Sequence, residues 1–391
     1  MSIRNRFRLI VLSLVFLPFM IPEYLLLNQT IKTFVSVFRV VSLLVIVIKL
    51  YMRNTKITWE FVAIILVFLD LLFSTLLNDV GNFKILINYA IIFFVPALLL
   101  DLYLKEEYND TVKIISILLA IEILINTVSQ FLFPGGLYQR WSIRKAFILG
   151  IENRFVFTYI AFLAFGLALV NINNRYRWFF RIILIIINIS LIKAWSVGAM
   201  MGIFVFDVLY VLSLKNIKIM SISKASVIWI SSFFAIVIFR VQDYFVAFLQ
   251  SALNKDTTLS GRTYFWDISY GQIKNNLIFG HGIQDDGKVL SDLGGVSHPH
   301  NQILHLMYMC GIVGLIVYFI FGFMCLRKVA RYNGKSELYN DYVAIYLSLM
   351  LMLLVDSWSS TSYLFMIFIL LSNIDKSNQE EKSTVKKKTI V

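Results

Sequence analysis

Along this chain apolar residues do not alternate with polar ones, as half-buried strands would require; they run in long blocks separated by short polar punctuation. A helix needs about 20 apolar residues to cross a bilayer, fewer where flanking side chains snorkel. By that measure the blocks at 9–27, 33–50, 57–77, 85–102, 113–133, 155–171, 178–193, 197–214, 225–246, 302–325, 341–356 and 359–373 predict about twelve transmembrane helices. The pair at 178–193 and 197–214 is parted only by Ala194 to Ser196. The fold class predicted is all-α: a single polytopic membrane bundle over 1–375, then a basic cytoplasmic tail over 376–391 whose polarity predicts disorder. Arg4, Arg6 and Arg8 precede the first block as in a signal peptide, but no small-x-small cleavage site follows, so that block reads as a retained helix.

Composition closes off the alternatives. A chain that is 59% hydrophobic and 15% charged cannot hide its apolar surface in one water-soluble core. A transmembrane barrel would show short alternating segments instead. The net charge of +13 does not point to nucleic acid, because the basic residues are scattered between apolar runs and form no stripe. With the amino terminus inside, the same residues fall on the cytoplasmic side: Lys49, Arg53 and Lys56, then Lys105 and Lys113, then Arg175, Arg177 and Arg181, then Lys215, Lys218 and Lys224, then Arg327, Lys328, Arg331 and Lys335. That is the positive-inside distribution, and an even number of spans returns the carboxy terminus to the cytoplasm. Cys310 and Cys325 lie in one apolar run, about four helical turns apart and too far to bridge each other. No internal repeat is visible.

Two external segments break the charge rule. One is Pro134 to Arg154, with Arg140, Arg144, Lys145 and Arg154; the other is a long extracytoplasmic loop at 249–301, with Arg262, Lys274 and Lys288. A solvated loop tolerates such cations at little cost, but their recurrence on the disfavoured side favours an anionic ligand. All four histidines, His281, His298, His300 and His305, also fall in or beside the long loop. Within it, Phe265, Ile268 and Ile273 recur near a helical period, which predicts a short amphipathic helix over Arg262 to Asn276 with Trp266 and Tyr270 at headgroup depth. Arg262 would open that helix, where a guanidinium fork and the helix field both suit phosphate. His300, ahead of the tenth block, suits a general base. A His-x-His pair offers two metal ligands and spacing marks no third, so no metal is expected; no nucleotide fingerprint appears, so no cofactor is either. Arg39, Glu60, Asp70, Glu122, Asp207, Arg240 and Asp356 read as intramembrane charges that snorkel or pair, outside the site.

The combination of Ser260-Gly261-Arg262, Trp266, Asn275-Asn276-Leu277-Ile278-Phe279-Gly280-His281-Gly282, His298-Pro299-His300-Asn301, and Gly311 with Gly314 resembles the superfamily of O-antigen ligases and Wzy-type polysaccharide polymerases. Asn276 stands where that family often has proline, and Leu315 follows the second glycine where ligases carry a small or aromatic residue. The resemblance implies a membrane glycosyltransferase, inverting and metal-independent. It moves an oligosaccharide from undecaprenyl diphosphate to an acceptor hydroxyl on the outer face of the bacterial cytoplasmic membrane. It further implies Arg262 and His300 as catalytic residues, and Arg154, Arg140, Trp266, Asn301 and His298 as substrate-binding ones. The expected activity is repeat-unit polymerisation for a capsular, exopolysaccharide or O-antigen glycan; the alternatives are a ligase and a lipid-linked oligosaccharide flippase. Expected partners are the undecaprenyl-diphosphate-linked oligosaccharide and the lipid bilayer, with a chain-length regulator and a flippase alongside.

Overall fold

A computed structural model describes residues 3–53, 57–78, 82–140, 144–245, 261–331, 337–358 and 362–373. The tail at 376–391 and the start of the long loop, Ser260 included, lie outside them. In an apolar surround a segment must satisfy its own backbone N–H and C=O groups, and the apolar blocks accordingly form helices. In chain order these are α1 (Ile3–Phe16), α2 (Gln29–Arg53), α3 (Trp59–Asn78), α4 (Phe83–Phe93), α5 (Val95–Glu106), α6 (Tyr108–Leu132), α7 (Phe155–Ile172), α8 (Arg177–Ala194), α9 (Val197–Leu214) and α10 (Ile222–Phe233). After the long loop's α11 (Arg262–Asn275) and α12 (Asp286–Asp292) come α13 (Gln302–Ala330), α14 (Glu337–Val355) and α15 (Tyr363–Ser372).

Among the described residues, seven helical stretches are long and apolar enough to cross a membrane, and four shorter apolar helices accompany them. The chain is thus an all-α, multi-pass membrane protein. The helix α7 is apolar on every side and buried from Phe155 to Val170, which places it at the centre of the bundle; α2, by contrast, is mostly exposed. Two expected blocks end early. Pro18 and Pro22 follow α1, so the 9–27 block is α-helical only to Phe16, with short 3-10 turns at Leu17–Phe19 and Leu25–Leu27 and Glu23 in the segment between them. Likewise α14 stops at Val355, and Asp356 lies beyond it. Between α8 and α9, Trp195 adopts a left-handed conformation (φ 55°), turning the chain within two residues.

Contacts between distant segments gather at two ends. At one, Arg8 pairs with Asp110, Lys49 Nζ with Glu106 (2.6 Å) and Lys328 Nζ with Glu60 (2.8 Å), and Ser213 Oγ donates to Asp341 (2.7 Å). At the other, Asn78 Nδ2 donates to the Gly280 carbonyl, Ser196 Oγ to Asn153 and Asn301 Nδ2 to the Leu354 carbonyl, each at 2.9 Å. Consecutive spans therefore alternate in direction, α4 and α5 together making one stretch, Phe83–Glu106. At this second end sits a small antiparallel sheet that hydropathy does not reveal: β1 (Tyr138–Arg140), β2 (Arg144–Phe147) and β3 (Gly150–Ile151), with Tyr138 opposite Ala146 and Ala146 opposite Ile151.

A histidine and aspartate site between two arginines

His300 stands at φ 53°, a left-handed conformation that costs a non-glycine residue about 1 kcal/mol or more. Asn301 holds it there. Its Oδ1 accepts the Leu304 N–H (3.1 Å), capping α13, and its Nδ2 donates to the Leu354 carbonyl (2.9 Å). Gln302 Oε1 adds a bond from the Trp358 N–H (2.9 Å). The start of α13 is so fastened to the end of α14, and His300 Nδ1 comes within 3.5 Å of Asp356 Oδ1. His298 Nδ1 lies 3.8 Å from the same oxygen and accepts the His300 backbone N–H (3.2 Å), so its own proton sits on Nε2. Burial pushes His298 down to about 4, leaving it neutral at physiological pH. Burial would raise Asp356, but the adjacent His300 and His298 rings and the Ser357 N–H hold its carboxyl below the usual range. Asp356 is therefore an anion, and sequence reasoning missed it.

Arg154 and Arg262 both act electrostatically on this cluster, one from the turn after the sheet and one from the first position of α11. That helix begins where the spacing predicts, after Gly261 in a left-handed conformation (φ 82°). Burial lowers the Arg262 pKa and Asp356 opposes the shift, so the guanidinium stays charged. Arg144 is also within electrostatic reach of Arg262. Among the described residues Arg262 has no ion-pair partner, whereas Arg154 Nη1 bonds Glu23 Oε2 (2.9 Å) and Arg140 bonds Glu23 Oε1. Arg140 thus stands behind Arg154 across Glu23.

The glycine motif explains how the loop is anchored. The helix α13 is interrupted at Gly311 (φ 65°, ψ −163°), which frees backbone groups on either side of the break. The segment after α11 fills them: His281 and Gly282 N–H donate to the Tyr308 and Met309 carbonyls (2.7 and 2.8 Å), while Ile312 and Val313 N–H donate to Leu277 and Ile278 (2.9 and 3.2 Å). The two backbones cross at Gly280 and Gly311, where a Cβ on Gly280 would sit 2.6 Å from the Gly311 nitrogen. No side chain fits there.

The other expected residues have different places. Trp266 is buried, 2% exposed, so its ring offers no open stacking face; Tyr264 and Tyr270 are the exposed aromatics of α11. Asn301 has no exposed surface and both its polar atoms are engaged, so it positions His300 and does not reach a ligand. His281 is committed to Asn276 and to the Gln272 carbonyl (3.1 and 3.0 Å), and His305 is buried in α13.

Ligand atoms from His298, His300 and Asp356, one from each, lie within 4.8 Å of one another, a donor set of the type that holds a transition metal, with the third ligand that spacing did not reveal. Two guanidinium groups bear on the same cluster, however, and His298 Nδ1 is occupied by a backbone N–H. The arrangement fits an acid–base pair facing an anion better than a cation site. Residues 146–319, less than half the chain, match the family model described as O-antigen ligase. The match takes in Arg154, Arg262, His298 and His300 and leaves out Glu23, Arg140 and Asp356. No curated protein matches the chain.

Proposed function

Through residues 146–319 the chain belongs to the O-antigen ligase and Wzy-type superfamily of membrane glycosyltransferase-like enzymes, and on that premise we propose that it polymerises oligosaccharide repeat units carried on undecaprenyl diphosphate. The observation that carries the reading is the convergence of Arg154, Arg262, His300 and Asp356 at one end of the bundle. That end has few basic residues in its other connections, as the outer face of a cytoplasmic membrane requires; the opposite end collects Arg8, Lys49, Arg175, Arg177, Lys215, Lys218 and Lys328 and would face the cytoplasm with both termini.

In this reading Arg262, with Arg154, binds the donor diphosphate and offsets the negative charge that grows on it as the glycosidic bond breaks. His300, oriented by Asp356, takes the proton of the attacking acceptor hydroxyl. The hydroxyl oxygen bonds the anomeric carbon, undecaprenyl diphosphate leaves with the bonding electron pair, and configuration inverts. Diphosphate is a good leaving group, so this scheme uses no nucleotide. The exposed Tyr264, two residues after Arg262 on α11, supplies a ring on which the sugar stacks in this scheme.

A ligase has the same donor chemistry and differs in its acceptor. Deleting the gene separates the two: a polymerase leaves single repeat units on the carrier, whereas a ligase leaves long carrier-linked chains unattached. A flippase is less well supported, because polarity is gathered at one end instead of in a central passage. Loss of transport without loss of bond formation would favour it.

A further inference from the structure

We infer that Glu23, in the segment between α1 and α2, is the residue that positions the donor-binding arginines; the inference rests on the diphosphate reading above. One carboxylate collects three partners from the sheet region. Glu23 Oε1 accepts from Tyr138 Oη (2.9 Å) and from Arg140, and Oε2 accepts from Arg154 Nη1 (2.9 Å). The backbone is shaped around that carboxylate. Gly150 sits at φ 99°, which disfavours any side chain, and a Cβ there would lie 2.8 Å from Glu23 Oε2 and oblige the carboxylate to move. Next to it the Tyr24 N–H donates to the Ile148 carbonyl (3.1 Å), and the Tyr24 and Tyr138 rings pack at 5.7 Å.

Each contact has a consequence for the site. With one Nη on Glu23, the planar fork of Arg154 is fixed in direction and its remaining N–H groups point elsewhere. Arg154 already lies within electrostatic reach of Asp356 and His298, so the fixed fork bears on the place assigned to the diphosphate. Glu23 and both arginines are about one-fifth to one-third exposed, so the bonds are screened only in part. A carboxylate that merely competed with the donor for Arg154 would need no second and third partner from the sheet. Glu23 acts through the arginines and is a positioning residue.

The test uses the full chain in nanodiscs and two readouts: equilibrium binding of undecaprenyl diphosphate, and steady-state kinetics with a synthetic undecaprenyl-diphosphate repeat unit. Glu23→Gln is expected to weaken binding and raise the donor KM by roughly tenfold, the worth of one charge-assisted hydrogen bond, with kcat within about threefold of wild type. Glu23→Asp should restore part of the loss, and Arg154→Ala added to Glu23→Gln should cost less than Arg154→Ala alone. Tighter binding in Glu23→Gln would overturn the inference, because Glu23 would then be a competitor. So would unchanged KM with reduced kcat, or loss of thermal stability in Glu23→Gln and Glu23→Asp alike, which would make the contact structural. Failure of the wild-type chain to bind undecaprenyl diphosphate would instead remove the diphosphate reading itself.

Discussion

At the residue scale, Asp356 changes what His300 can do. Its Oδ1, 3.5 Å from His300 Nδ1, sets the direction of the imidazole and so which ring nitrogen is left to meet a substrate proton. Replacing His300 by Ala should lower kcat by roughly 10² to 10⁴ fold, the range of a positioned general base, and Asp356→Asn by about 10² fold, with the donor KM little changed in either. Steady-state kinetics on both variants checks this. His298 makes a separate prediction. Its folded pKa is depressed to about 4 from an ordinary value near 6.5, so its contribution is fully present above pH 6.5 and is lost as pH falls towards 4. The size of the effect is about 3 kcal/mol. Thermal unfolding in detergent should therefore show a loss of stability across pH 6.5 to 4 that is smaller in His298→Asn; an identical pH dependence would remove His298 as its source. The sequence displayed His300 and Arg262 openly, since both occur in a polar stretch of an apolar chain. Asp356 was hidden because it ends an apolar block, and Glu23 because two prolines, and not a polar stretch, bring it out of one.

At the element scale, the break in α13 and the segment threaded into it form one unit. Hydropathy treats 302–325 as an unbroken span, and nothing in local pattern says that a helix has opened to accept the segment 277–282 from elsewhere. The glycines at 280 and 311 were legible as motif but not as mechanism, since their use is a contact between backbones about 30 positions apart. Gly280→Ala and Gly311→Ala should each destabilise the protein by at least about 2 kcal/mol, through strain at positive φ and a clash with backbone. Gly198→Ala is the matched control: it lies in α9 with open space around it and should be neutral or stabilising by about 0.5–1 kcal/mol. Melting curves of the three variants decide the matter. If Gly311→Ala behaves like Gly198→Ala, the crossing does not hold the loop. The helix α11, by comparison, was readable almost to the residue, because an amphipathic period and a preceding glycine are local signals.

For the whole molecule, alternating helices sort the charges to two ends, and the account requires that the end bearing Arg154, Arg262 and His300 face away from the cytoplasm. The two native cysteines are buried, so single cysteines introduced at exposed positions can be read against a low background. In right-side-out vesicles an impermeant maleimide should label Asp286→Cys without permeabilisation and Lys218→Cys only after it; the reverse order would invert the topology. The proposed sidedness rests on lysine and arginine counts, because the positive-inside rule sums over many loops. The meeting of the first connecting segment, the small sheet, the long loop and the end of α14 at one site was not, because it is made by pairing among segments that hydropathy treats separately. The most direct test of the central claim is to supply the purified full-length protein in nanodiscs with a synthetic undecaprenyl-diphosphate repeat unit and resolve the products by length. The account predicts a ladder of lengthening glycans with release of undecaprenyl diphosphate, both abolished in Arg262→Ala and in His300→Ala; an equal ladder from those two folded variants would contradict it.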